Sequence, residues 1–463
     1  MSWKKGAFCH EPNRPHLPGA VEIMCMITKD DGYRGIWYCN QPTGDEYAYK
    51  YSGGLGTYPS NHIPFAWHSR EARKTFFCYG ASTKGSNRLL HAVSFYDHER
   101  NGVPRPTILL DKETDDAHDN PVIALDPSGH VWIFSSSHGT ARPSYVHRST
   151  EPYSIDGFER VLVTNFSYPE CWWLDGLGFM VLFTRYVKGR RFLHWSTSAG
   201  GKKCGYKWQR PRRMASVERG HYQVSWSDGK KVGTAFNYHP EAGGLNARTN
   251  LYYLETVDFG EAWRTAAGEQ VVLPLERVQN AALVRDYARE RLLAYLVDMD
   301  FDTRGHPVVL YITARGYEPG PANDPRTWTV ARWTGRDWTF SGSITSTSNY
   351  DAGALHVLGD GTWLLIGPTD PGPQSYNPGG EMVAWESHDE GATWIRKRAL
   401  TSGSEYNHTY ARKPVHADPA FMAFWADGDA RKPSPSRLYF YDAARDRIRQ
   451  LPPAMDGEFF TFD

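Results

Sequence analysis

The sequence predicts an all-β chain, a β-propeller built from a degenerate repeat. Three observations predict it. Helical periodicity is nearly absent, and apolar residues instead come in runs of four to eight, often alternating, bounded by Gly, Asp, Asn or Pro. Aromatic residues make up 14% of the 463 residues, beside 43 Gly and 30 Pro, which suits many short strands joined by tight turns and excludes disorder. Turn signals of one kind recur: Asp126, Asp175, Asp228 and Asp360 each begin or centre one and lie 49, 53 and 132 residues apart. A repeat of about 50–65 residues is the size of a four-stranded blade with its loops, and seven blades share the chain at about 66 residues each. A two-sheet sandwich is the competing fold.

The strands follow from the apolar runs at 131–137, 178–186, 307–314 and 362–368. Hairpin turns are expected at Asp126–Gly129, Asp175–Gly178, Ser227–Gly229 and Gly359–Gly361, where Asp caps the backbone and Gly supplies a positive φ. A sharper element is Ser387-His-Asp-Glu-Gly-Ala-Thr-Trp394, which fits the S-x-D-x-G-x-T-W Asp-box, and Thr256-Val-Asp-Phe-Gly-Glu-Ala-Trp263 is a close second copy. In such a box the Asp caps a turn between outer strands, the Gly permits its angles and the Trp packs beneath. The box reports architecture rather than activity. No linker or low-complexity segment interrupts the chain, so residues 1–463 are expected to form a single domain. Most of the 17 Trp, 27 Tyr and 21 Phe are expected to pack between sheets, the rest being free to stack on sugar rings.

Charge and motifs narrow the function. Lys+Arg and Asp+Glu are both 52, so nothing electrostatic calls for a nucleic acid or an anionic membrane. No run approaches the roughly 18 apolar residues of a membrane span. The start lacks the apolar stretch of a signal peptide, so the chain is expected to be cytoplasmic or to lack its secretion leader. Cys9, Cys25, Cys39, Cys78, Cys171 and Cys204 stand singly with no CxxC, which argues against a disulfide framework and gives only weak support to a zinc cluster. HExxH, EF-hand, Walker A, GxSxG and GxGxxG patterns are absent.

The stretch 115–145 carries chemistry. His118 precedes one strand and His138 follows the next, so one antiparallel hairpin should return both imidazoles to the same end of a sheet. Two such groups can supply a base and an acid near neutral pH. By the same reasoning Tyr168 and Arg185 bracket a hairpin, and Arg185 could bind a carboxylate bidentately. Tyr238, His239 and Arg248 are expected to line the same mouth.

At these residues the chain resembles the BNR-repeat propeller family. The resemblance is carried by DGYRGIWY (31–38), KYSGGLGTY (50–58), HIPFA (62–66), HDNPV (118–122), SSSHGT…RPSY (135–145), TRY (184–186), GLNARTNLYYLET (244–256), NYDAG (349–353) and RKPV…FWADGD (412–429), across about residues 30–445. That family contains ulvan lyases and L-rhamnose-α-1,4-D-glucuronate lyases, and enzymes described as α-L-rhamnosidases. The resemblance implies a seven-bladed propeller, a uronic-acid-containing glycan as partner and β-elimination at a rhamnose–glucuronate linkage. His118, His138, Tyr168 and Arg185 stand in the contexts of the lyase residues, with Tyr238, His239, Arg248 and Tyr350 as substrate contacts. One histidine is expected to act as base, Tyr168 as acid and Arg185 as the partner of the carboxylate. Thr345–Tyr350 lacks the histidine found there in some lyase members. The rhamnosidase-type members use a single His near the chain start, and His62 has a similar context. A non-catalytic carbohydrate-binding propeller is the third reading. No metal is required when an arginine neutralises the carboxylate; a structural calcium or zinc ion is left open, with no ligand set that the isolated Cys and His define.

Overall fold

Each apolar run becomes a strand, and each Gly- or Asp-bearing break becomes a turn. The computed structural model describes residues 27–198 and 207–463; Cys9, Cys25 and Cys204 lie outside them. The four runs named above form the strands Val131–Ser135, Gly178–Val187, Pro307–Ala314 and Trp363–Asp370. Among the described residues seven sheets of four or more antiparallel strands follow one another along the chain, each a blade of a seven-bladed β-propeller. Their innermost strands are Ala66–Ser69, Pro121–Leu125, Ser167–Leu174, Gln223–Ser227, Leu293–Phe301, Ala354–Val357 and Asn407–Arg412. We number the blades 1 to 7 in that order. A separate hairpin, Trp37–Pro42 with Tyr49–Gly54, lies against blade 7.

Successive innermost strands begin between 46 residues apart (Pro121 to Ser167) and 70 apart (Gln223 to Leu293), a wider spread than the sequence suggested. The longest interval holds the extra strands Gln270–Val271 and Leu283–Arg285 of blade 4. The long gap between the Asp228 and Asp360 turns is split by an equivalent turn at Asp302–Gly305. There Oδ1 of Asp302 accepts the N–H groups of Arg304 and His306, as Oδ1 of Asp126 accepts those of Ser128 and His130.

Both Asp-boxes form as expected. Oδ1 of Asp389 accepts the N–H of Thr393, Ser387 Oγ accepts that of Gly391, and Asp258 and Thr256 repeat the pattern on Ala262 and Gly260. Gly260 has φ 82°, and a Cβ there would stand 2.5 Å from the Trp195 indole nitrogen, so the close approach excludes any side chain. Trp263 packs beneath, edge-on to Trp195 at 5.5 Å.

The core lies between adjacent blades, where large aromatics such as Trp132, Trp172, Trp363 and Trp425 are fully buried. Blade 7 meets blade 1 through Phe77, Phe421, Phe424 and Phe440, with Phe421 and Phe440 stacked at 4.5 Å. The ends of the described chain add strands to blade 1: Thr28–Lys29 pairs with Thr107–Asp111, and Phe459–Thr461 pairs with Gly102–Pro104.

Candidate active site

Where the innermost strands begin, their preceding loops converge on a cleft. Ser135 pairs with Pro121 across the blade 2 hairpin, so the residues flanking that hairpin return to one place. His118 and His138 meet there with their rings stacked, 4.1 Å apart and 17° from parallel. Between them stands Asp116, which caps the short 3-10 turn Ala117–Asp119. Nδ1 of His118 lies 2.5 Å from one Asp116 oxygen, and Nδ1 of His138 lies 2.8 Å from the other. Burial works to raise the Asp116 carboxyl, but the two imidazoles overcome it and hold it well below the usual carboxylate range. An ionised carboxylate only accepts, so both imidazoles donate Nδ1–H to it and keep Nε2 as a lone pair. Nε2 of His118 accepts from the Tyr58 hydroxyl at 2.7 Å, and burial lowers this imidazole's proton affinity against the pull of Asp116. His138 is half-buried, and its ring lines the cleft.

Asp119 fixes the loop behind this pair. It accepts the His138 N–H at 2.6 Å and the Arg142 Nε–H at 2.8 Å.

Tyr168 opens the innermost strand of blade 3 with φ 52°, at a bulge between Ser167 and Glu170. Its ring lines the cleft, and its hydroxyl lies 3.4 Å from those of Tyr186 and Tyr222. Burial pushes the phenol well above its ordinary value, so it keeps its proton. Arg185 does not join it. Along the strand Gly178–Val187 side chains alternate, and Arg185 is exposed on the face away from Tyr186. The arginine of the site is Arg191, the cross-strand partner of Tyr186, whose Nε–H donates to the Tyr186 hydroxyl at 3.0 Å.

Arg248 stands where the sequence placed it. Its guanidinium is buried at the cleft wall, 4.2 Å from the Tyr295 ring centre and 4.6 Å from that of Tyr222, and its Nε–H donates to the Leu245 carbonyl at 2.8 Å. Tyr350 also lines the cleft, stacked on Tyr51 at 4.7 Å. Tyr238 does not. A bulge between Phe236 and Tyr238 leaves its ring among the hydrophobic residues of blade 4, edge-on to Tyr252 at 6.3 Å. His239 is fully buried, edge-on to Tyr222 at 4.7 Å, so it supports a cleft residue rather than meeting a ligand. His62 is likewise fully buried, edge-on to Tyr168 at 5.7 Å, and is not part of the lining.

Sequence reasoning missed Tyr222. It precedes the innermost strand of blade 4, close to the place Tyr168 holds in blade 3, which was the available signal. Burial raises its phenol, but Arg191 and Arg248 overcome this and hold it below its ordinary value. Tyr51 and Tyr58 were also missed, although both lie in the quoted segment 50–58. The cleft thus brings together two arginines, a phenol held between them, a protonated phenol and an Asp-bridged imidazole pair. A carboxylate ligand would meet cations and proton-transfer groups within one cleft.

The BNR repeat-containing family profile matches residues 93–346. No curated protein matches the chain in sequence. Among solved structures, a PL25 ulvan lyase bound to -[GlcA(1-4)Rha3S]- is similar with a TM-score of 0.67 at 16% identity, covering 88% of this chain and 95% of that one. The polysaccharide lyase Uly1 is similar with a TM-score of 0.60 at 10% identity, covering 93% of this chain and 99% of that one. At these identities the likeness concerns the fold, and it agrees with the ring of seven blades. With the profile spanning more than half of its length, the chain belongs to the BNR repeat-containing family.

Proposed function

We propose that the protein is a polysaccharide lyase that cleaves a rhamnose–glucuronate linkage by β-elimination. The observation that carries this reading is the pair Arg191 and Arg248 flanking Tyr222, with the Nε2 edge of His138 and the Tyr168 hydroxyl in the same cleft. Elimination removes the proton at C5 of a uronate and expels the oxygen at C4. The ionised carboxylate makes that proton weakly acidic, so charge on the enolate-like transition state has to be offset, usually the largest contribution. Arg191 and Arg248 do this. His138, oriented by Asp116, takes the C5 proton on Nε2. The electron pair forms the C4–C5 double bond, the C4–O bond breaks, and Tyr168 gives its proton to the leaving oxygen. His118 orients rather than reacts, because its Nε2 is engaged by Tyr58.

A second assignment of the base has its own observation. Tyr222, lowered by the two arginines, could take the C5 proton as phenolate. Glycoside hydrolysis by paired carboxylates has less support: Asp351 is the one carboxylate among the lining residues, and it accepts the N–H groups of Ser348 and Gly379. Binding of a -[GlcA(1-4)Rha3S]- fragment by a structurally similar lyase agrees with the proposed linkage.

The test is incubation with ulvan and with a rhamnose-capped glucuronate oligosaccharide, following ultraviolet absorbance of the C4–C5 double bond. A rise on either substrate is the expected result and identifies the subclass. Rhamnose released without that absorbance would mean hydrolysis and overturn the proposal.

A further inference from the structure

A second trio of two histidines and an aspartate lies on the other side of the ring, where the innermost strands end. His68 is on the innermost strand of blade 1, Ala66–Ser69, and His98 follows that blade's third strand, Leu90–Asp97. Asp418 is in the loop between the first two strands of blade 7. The junction is already clasped by backbone: His68 N–H donates to the Val415 carbonyl at 2.9 Å, and Val415 N–H to that of Ala66 at 3.0 Å.

We propose that His68, His98 and Asp418 bind one divalent cation of the zinc type, and that this ion ties blade 7 to blade 1. Both imidazoles use one nitrogen on the same hydroxyl: Nδ1 of His68 is 3.2 Å and Nε2 of His98 is 2.8 Å from Thr75 Oγ1. Their other nitrogens face the Asp418 carboxylate at 4.0 Å and 3.4 Å. These distances are too long for good hydrogen bonds. They contrast with the 2.5 and 2.8 Å of the Asp116 pair, where the carboxylate itself holds the rings.

Ligand atoms about 2.1 Å from a tetrahedral ion stand roughly 3.4 Å apart; here the three ligand atoms lie within 4.8 Å of one another, so a small inward turn of the side chains would close them on an ion. Tautomers give the same answer. If both rings donate to Thr75, two lone pairs face a carboxylate. If both donate to Asp418, one hydroxyl proton serves two acceptors. If one donates to Thr75 and the other accepts from it, one lone pair still faces the carboxylate. A cation between the three ligand atoms satisfies every group, with Thr75 orienting both rings from behind. The Ala420 N–H fixes the carboxylate at 2.9 Å. Two imidazoles and a carboxylate suit zinc and its first-row neighbours better than calcium or magnesium. His416 lines the same cavity and could complete the set. Of the two arginines there, Arg73 is paired with Glu99 and Arg70 is exposed to screening solvent.

The test is uptake of Zn²⁺ by the full chain after chelator treatment, with H98Q and D418N beside it. The expected result is one ion per chain, bound at least about 100-fold more weakly by each variant, and a thermal midpoint that zinc raises in the parent only. If one variant does not fold, the other decides, and an anomalous difference map at the zinc edge locates the ion on the parent protein. A peak beside His98 and Asp418 supports the proposal. No uptake at tens of micromolar, uptake unchanged in the variants, or zinc found only beside Asp116 would overturn it. None of these readouts depends on activity in the cleft.

Discussion

Arg191 and Arg248 act on the same phenol, and removing either has a distinct consequence. R191M is expected to lower turnover by about a thousandfold or more, as loss of a transition-state charge partner does, while the thermal midpoint stays near that of the parent. Comparable turnover would remove Arg191 from the mechanism. Asp116 allows a sharper test, because it fixes both imidazoles through Nδ1. If His138 is the base, D116N loses that orientation, and kcat should fall by about a hundredfold while KM and the thermal midpoint stay near those of the parent. If Tyr222 is the base, R248M moves the rising limb of kcat/KM to higher pH, since a cation that favoured the phenolate has been removed. The kcat of D116N and the pH profile of R248M therefore separate the two assignments.

At the scale of strands and turns, what the sequence made legible follows the period of two. The four apolar runs, the four hairpin turns and both Asp-boxes are local patterns, and all form where they were read. His118 and His138 were found because a single hairpin between them has no irregularity in its register. Arg185 failed for want of face: one residue along a strand reverses the side chain, and the register to Arg191 depends on the turn at Gly189. Tyr238 failed at a bulge, which local sequence does not announce. Tyr222, Arg248 and Arg191 come together from two loops and a strand, a non-local event. The bulge that positions Tyr168 also buries Glu170, whose carboxyl is held up to about 8 by desolvation. Its folded value lies above the ordinary 4.5. Stability tied to the protonated form is therefore full below about 4.5 and lost as pH rises through about 8. E170Q cannot ionise, so its thermal midpoint should gain on the parent between pH 5 and 9; parallel curves would sink the idea.

A propeller is a sheet array that has to close, and its closure lies far apart in sequence. Blade 1 takes strands from both ends of the described chain, and its contact with blade 7 is an aromatic layer with one short backbone bridge, Trp67 to Val415, in place of a full hydrogen-bonded ladder. The C-terminal strand Phe459–Thr461 joins the two. It covers the edge of Gly102–Pro104 in blade 1, while the next residue, Phe462, packs edge-on to Phe440 of blade 7 at 5.5 Å and against Tyr96 of blade 1 at 6.2 Å. Arg449 of blade 7 adds a hydrogen bond to the Asp463 carbonyl at 2.7 Å. Removing a buried Phe side chain costs about 3 kcal/mol, which for a chain of this size corresponds to about 3 °C in thermal midpoint. F462A should show a loss of that order. A chain ending at Gly457 should lose more, because it also exposes an unpaired strand edge, and it should aggregate earlier on heating. Scanning fluorimetry with light scattering measures both. If the truncated chain melts with the parent, closure rests on the aromatic layer and the Trp67–Val415 bridge, and the tail only covers an edge.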